Sequence, residues 1–206
     1  TMASEGASCG GSQGKCKSGY CVQVAAQGRK MVYVPAGSFW MGCSAKDGSC
    51  QSSEKPQHEV VLSAYWIDMY EVTVSDWDKC KAAGKCSNPK GTYSSCNWGK
   101  PGREQHPINC IDWSQARGYC QWLGAEFDLP SEAQWEKGAR GGCEHNGGSS
   151  GCKAGMRTYP WGEASPSCDL AVFSSGGKGC GKDSTWAVGS KPKGVSPYGA
   201  HDMSGN

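Results

Sequence analysis

His106-Pro107-Ile108-Asn109-Cys110-Ile111-Asp112-Trp113-Ser114-Gln115-Ala116-Arg117-Gly118-Tyr119-Cys120-Gln121-Trp122, followed by Leu129-Pro130-Ser131-Glu132-Ala133-Gln134-Trp135-Glu136, is the densest run of structural signals in this chain. Asp112 or Ser114 can cap a helix from Gln115 to Leu123, with Gly124 as its stop. Ala116, Tyr119, Cys120 and Leu123 then share one face at three-and-four spacing, the pattern of a buried stripe. Ser131 with Gln134 forms a capping box for a helix over Glu132 to Ala139, which ends at Gly141. Upstream, Ser75 precedes a shorter helix over Asp76 to Ala83, with Gly84 beyond it.

Strand signals flank these helices. Met31-Val32-Tyr33-Val34 is β-branched and aromatic, and Pro35-Ala36-Gly37 turns it into a second strand over Ser38 to Met41. His58 to Leu62 and Tyr65 to Asp68 read as further strands, and Ala187 to Ser190 as a short one. Between Gly141 and Gly181 the pattern is loop, and Gly147-Gly148-Ser149-Ser150-Gly151 reads as a flexible linker. A loop of that length inside a domain requires cross-links or a metal to pin it.

Fourteen cysteines among 206 residues supply those cross-links. Zinc is the rival reading, but no pair has the Cys-x2-Cys spacing that zinc favours. So many thiols fit an oxidising, extracytoplasmic compartment, whether secreted, periplasmic or at the cell surface. Cys43 and Cys50 close a polar loop; Cys143 with Cys152 and Cys168 with Cys180 staple the long one. Cys80, Cys86, Cys96 and Cys110 complete the disulfide candidates. Residues 1–28 form a small cysteine-rich appendage before the main domain of residues 29–206. Its three cysteines, Cys9, Cys16 and Cys21, cannot all pair internally, which predicts one bond to the main domain.

Composition excludes several functions. The formal net charge is +2, without a long run of like charges, so nucleic acid is not an expected partner. No apolar run approaches the roughly 18 residues of a membrane span. The start, Thr1-Met2-Ala3-Ser4, lacks a signal peptide's character and reads as a mature or trimmed terminus. None of the four histidines has a partner at zinc-hydrolase spacing. The pairs Asp76/Asp78 and Glu132/Glu136 lie near helix starts, where carboxylates favour the dipole. No nucleophile elbow or phosphate-cradling loop is present. With 31 glycines and 37% hydrophobic residues, the composition suits a loop-rich, disulfide-stapled α+β domain.

Five stretches in order carry a family resemblance. They are Met31 to Gly42, Tyr65 to Thr73, Leu129 to Glu136, Tyr159-Pro160-Trp161-Gly162, and Tyr198-Gly199-Ala200-His201-Asp202-Met203-Ser204-Gly205-Asn206. Together they resemble the formylglycine-generating enzyme (sulfatase-modifying factor) family. The resemblance implies an irregular, C-type-lectin-like α+β fold. In the family the last stretch runs on into an aromatic strand, with the copper-binding reactive cysteines later still. It therefore implies that no catalytic residue lies in this chain, and that copper is a cofactor only if a C-terminal continuation carries the cysteine pair. A continuation or a cleaved second chain is expected to complete the fold.

The functions the resemblance implies are a binding or scaffold module for a protein, peptide or glycan, or an oxygen-dependent oxidase converting a protein cysteine to formylglycine. A calcium-dependent lectin-like module is a further alternative. The resemblance also implies two calcium sites. One uses Asp169, the Leu170 carbonyl and Asp183; the other uses Asp202 and the Gly205 carbonyl. Calcium takes about six to eight oxygens, more than this chain supplies at the second site. The resemblance offers Cys120 a bond to a distant downstream cysteine, whereas its helix face suits an inert core thiol. Trp66, Trp113, Trp122, Trp135 and Trp161 fall in family motifs, where core packing is the default. Trp98, in a polar loop, is the ligand-binding candidate.

Overall fold

The computed structural model describes residues 6–10, 13–17, 19–91, 93–174 and 179–206. Seven strands and four helices alternate with long loops: β1 (Ser8–Cys9), β2 (Gly14–Lys17), β3 (Tyr20–Val24), β4 (Lys30–Val34), β5 (Gly37–Met41), β6 (His58–Leu62), β7 (Tyr65–Asp68), α1 (Val74–Ala82), α2 (Trp113–Leu123), α3 (Glu132–Arg140) and α4 (Gly148–Gly155). Five strands form one antiparallel sheet in the order β1-β2-β3-β4-β7, and β5 pairs with β6 in a second. This is the irregular, loop-rich α+β architecture expected.

The apolar run Met31 to Val34 explains the place of β4 within the main sheet. Val32 and Val34 are fully buried and pack with Val22, Met69, Ala139, Tyr198, Ala200 and Met203 under the sheet. A second cluster joins Phe39 to Cys143, Cys152 and Met156, and a third stacks Trp77 on Tyr119 at 5.7 Å.

The N-terminal segment joins the domain through backbone pairing. β3 pairs with β4, with Val22 opposite Val32. Cys9 bonds to Cys21, and Cys16 remains a buried free thiol, so the expected disulfide to the main domain is replaced by sheet hydrogen bonds. Five more disulfides join Cys43–Cys50, Cys80–Cys86, Cys96–Cys110, Cys143–Cys152 and Cys168–Cys180. Cys120 is the second free thiol.

Local chemistry sets the helices. α1 starts one turn-corner earlier than Ser75 suggests, because Thr73 is the cap: its side chain accepts from Asp76 N–H at 3.1 Å and Asp76 answers it in a capping box. Asp112 with Gln115 and Ser131 with Gln134 make the same box for α2 and α3. On α2 Tyr119 is the one fully buried side chain, while Cys120 is half-buried. Buried Lys137 of α3 donates to Pro35 O at 2.7 Å and Gly37 O at 3.0 Å, tying the helix to the β4–β5 corner.

Three expectations change. The Gly147–Gly151 stretch is not a linker: it opens α4, whose Cys152 is fully buried against the Phe39 cluster and bonded to Cys143. Tertiary packing and the cross-link override the poor helix propensity of glycine. Ala187–Ser190 is a turn rather than a strand, because Gly189 takes a left-handed φ of 70° against the Tyr70 ring. Trp113 and Trp135 are 64% and 46% exposed instead of lying in the core, since each points off the outer face of its helix.

Candidate functional site

The motif that closes the chain folds back onto the loop between β7 and α1. His201 N–H donates to Met69 O at 2.8 Å, and the His201 ring lies 4.9 Å from Tyr70. Asp202 takes a left-handed φ of 56°, which aims its carboxylate at the Gly189 turn. Its Oδ2 accepts from Gly189 N–H at 2.6 Å, while Oδ1 is buried without a partner. Asn206 reads both neighbours. Its Oδ1 accepts from Trp186 N–H at 2.8 Å, and its Nδ2 donates to Glu71 Oε2 at 2.9 Å and to Trp186 O at 3.2 Å.

Two acids thus converge with little to neutralise them. Burial pushes the Glu71 carboxyl up to about 7; the Asn206 hydrogen bond opposes this and the Asp202 charge adds to it. Burial also raises Asp202, against the Gly189 hydrogen bond and His201. His201 is lowered by burial, and its Nδ1 has no partner.

Glu71 opens onto a cleft of about 370 Å³, lined by Arg29, Asp68, Glu71, Thr73, Asp76 and Gly189 among others. Arg29 pairs with Asp68 there and lies 5.5 Å from the Phe127 ring centre. Arg29 Nη1 and Asp68 Oδ1 are both buried without partners. Asp68 is raised by burial in spite of Arg29.

A calcium ion needs buried, unsatisfied oxygens, and the two expected sets differ in this respect. Asp202 Oδ1 is such an oxygen. Gly205, at φ 126°, lies where a Cβ would meet Val172 O at 2.6 Å, so only glycine brings this backbone so close. Asp202 thus offers one free oxygen of the kind a hard cation takes, while Gly205 lies packed against Val172 O. The other set does not fit. Asp169 is 74% exposed and pairs with Lys193 at 3.1 Å. The Leu170 carbonyl abuts Gly194, and Asp183 is an exposed residue at φ 49°. Among the described residues no group of three or more His, Cys, Asp or Glu side chains converges.

Trp98 is committed to its own neighbourhood. Its Nε1 donates to Asp78 at 2.8 Å and the Lys81 ammonium lies 4.4 Å from its ring centre. Sequence reasoning passed over Glu71 and Asn206. Glu71 lies three residues past β7 and two before the Thr73 cap, and nothing in the Tyr65–Thr73 stretch itself marks it as a site residue.

Disulfide-stapled loops on two small sheets, closed by an acidic cluster at the final motif, define an α+β domain of the sulfatase-modifying type. Residues 19–206 match the model of the sulfatase-modifying factor enzyme 1-like domain. The chain belongs to this family, to which the formylglycine-generating enzymes belong.

Its relatives vary in what they are. It is 30% identical over 190 residues to serine/threonine-protein kinase pkn1 of Chlamydia caviae, covering 86% of this chain and 26% of the kinase. It is 27% identical over 172 residues to the formylglycine-generating enzyme of Mus musculus, covering 65% and 42%. The solved structure of PvdO from Pseudomonas aeruginosa is similar with a TM-score of 0.67 and 29% identity, over 90% of this chain and 71% of PvdO. The chain thus spans less than half the length of these two curated relatives.

Proposed function

We propose that this chain is an exported member of the family that acts as a binding or scaffold module for a protein, peptide or glycan. The state of its cysteines carries the reading. Twelve of fourteen are joined in six disulfides, and the two free thiols lie on separate elements, Cys16 in β2 and Cys120 in α2. Burial raises the Cys120 thiol, which lowers its thiolate fraction and its reactivity. The described residues thus supply staples and no pair of neighbouring free thiols. Persistent disulfides in turn favour an oxidising compartment. No helix among the described residues is long and apolar enough to cross a membrane.

Asp202 and Gly205 are proposed to contribute to a calcium site. Calcium there would supply positive charge against Asp202 and Glu71, and would order the final motif. Asp202→Asn is expected to weaken calcium binding about tenfold, as lost charge at a hard-cation site does. Titration of calcium followed by calorimetry checks this, and equal affinities would remove Asp202 from the site.

A second reading follows from the similarity to the mouse formylglycine-generating enzyme. A continuation or second chain carrying a copper-binding cysteine pair would make the assembled protein an oxidase. The two readings separate in an assay with a cysteine-containing peptide, oxygen and copper, with the aldehyde trapped by an aminooxy probe. The assay is run on this chain together with any continuation or second chain that purifies with it, and the module reading expects no aldehyde from that assembled protein. Aldehyde that forms with the chain and not without it would establish the oxidase.

A further inference from the structure

A second cleft, of about 510 Å³, is lined by Arg103, His106, Lys182, Ser184, Trp186, Ala187 and Ser190. Among the described residues no carboxylate lines it. Arg103 is held from one side: its Nη1 faces His106 Nδ1 at 3.2 Å, Thr185 O at 3.4 Å and Asn97 Oδ1 at 3.5 Å. Asn97 is itself buried and fixed, donating to Pro107 O at 2.8 Å and Thr185 Oγ1 at 3.0 Å. The guanidinium plane is thereby set before any ligand arrives. Its Nε and Nη2 have no protein partner among the described residues, and these two nitrogens form the edge that grips an oxyanion in bidentate fashion.

The groups around Arg103 are donors as well. His106 Nδ1 lies 2.8 Å from Thr185 Oγ1 as well as 3.2 Å from Arg103 Nη1, and Thr185 Oγ1 also accepts from Asn97 Nδ2. Burial and the charges of Arg103 and Lys182 hold His106 below its usual range, against Thr185 and Glu104. The ammonium groups of Lys182 and Lys191 each lie 3.8 Å from the Trp186 ring centre. Lys191 is only 9% exposed and has no carboxylate partner among the described residues. Ser190 Oγ is buried with no partner at all. Of the acids adjacent in sequence, Glu104 accepts from Gly102 N–H at 3.1 Å, and Asp183 is exposed.

Three cations, two of them partly or largely buried, with no acid between them and an orphaned hydroxyl beside them, are poorly compensated by the protein alone. We propose that this cleft is a binding site for a tetrahedral oxyanion, a sulfate or phosphate group carried by a ligand. The guanidinium edge of Arg103 takes two of its oxygens, Lys182 supplies charge at the rim, and Ser190 donates to the rest. The site adjoins the Asp202 cluster through Trp186 and Gly189, and holds whether or not the assembled protein is an oxidase.

The test is calorimetric titration of sodium sulfate, sodium phosphate and sodium acetate into the full chain at pH 7, with ionic strength fixed by chloride. Sulfate and phosphate are expected to saturate, and planar acetate to bind about fivefold more weakly because it meets fewer donors. Sulfate binding at least as tightly as phosphate would assign the acceptor-only sulfate; the reverse order would assign phosphate. Lys182→Gln, at an exposed position, should weaken binding about threefold by removing a screened charge. Arg103→Lys keeps the charge and loses the fork, for about a tenfold loss. No saturable binding above the chloride control overturns the proposal. So does sulfate or phosphate binding that Lys182→Gln leaves unchanged in a protein of unaltered circular dichroism.

Discussion

Glu71 shows what burial does to a single carboxyl in this fold. Its folded value, about 7, lies above the ordinary 4.5. The native state therefore keeps a proton that the unfolded chain releases between those values, and the stability this gives is full below pH 4.5 and is lost as pH rises toward 7 and above. Glu71→Gln keeps an acceptor for Asn206 and removes the titration. In calcium-free buffer the variant should match the parent near pH 4 and exceed it by about 3 kcal/mol at pH 8. Urea midpoints across that range check this, and parallel pH profiles would contradict it. This residue was hidden from the sequence, because Asn206 and Asp202 reach it only through a fold that brings positions far apart in the chain together. Asp202, by contrast, stood out in the sequence as a candidate ligand through its motif. Trp98 stood out as a polar-loop aromatic, but only the structure shows Asp78 and Lys81 engaging it.

At the scale of elements, caps were the most legible features and packing the least. Ser131 with Gln134 read correctly because a capping box is local chemistry. The burial of Lys137 could not be read, since lysine is rarely interior and nothing near it in sequence announces the Pro35 and Gly37 carbonyls. Lys137→Met keeps the stem packed and strips both carbonyls of their donor. The expected loss is about 2–4 kcal/mol, the cost of buried unpaired acceptors, and denaturant melts would show it. A loss below about 0.5 kcal/mol would mean that water replaces the ammonium.

Helix α4 belongs to the same lesson: five residues of Gly and Ser predict a linker, and the Cys143–Cys152 bond with the Phe39 cluster makes a helix of them. Replacing both cysteines with serine should cost about 2–3 kcal/mol through the small closed loop. It should also remove hydrogen-exchange protection from Gly148–Gly155 before the rest of the domain. Retained protection there would show that packing alone suffices.

Across the whole molecule, three modest core clusters and six disulfides share the task of ordering long loops. The ordered motifs made the family legible, because their residues recur in a fixed sequence along the chain. The N-terminal strands were not legible, since β1 to β3 are short and polar and gain their order by extending the main sheet. The cysteine framework is what separates a stapled module from a chain with reactive thiols of its own. The most direct measurement is peptide mapping of the native protein by mass spectrometry, with free thiols alkylated before and after unfolding and without reduction. The account predicts the six named disulfides and two alkylated thiols, Cys16 labelled only after unfolding and Cys120 slowly before it. A free pair among Cys43, Cys50, Cys80, Cys86, Cys96, Cys110, Cys143, Cys152, Cys168 and Cys180, alkylated in the folded state, would contradict it.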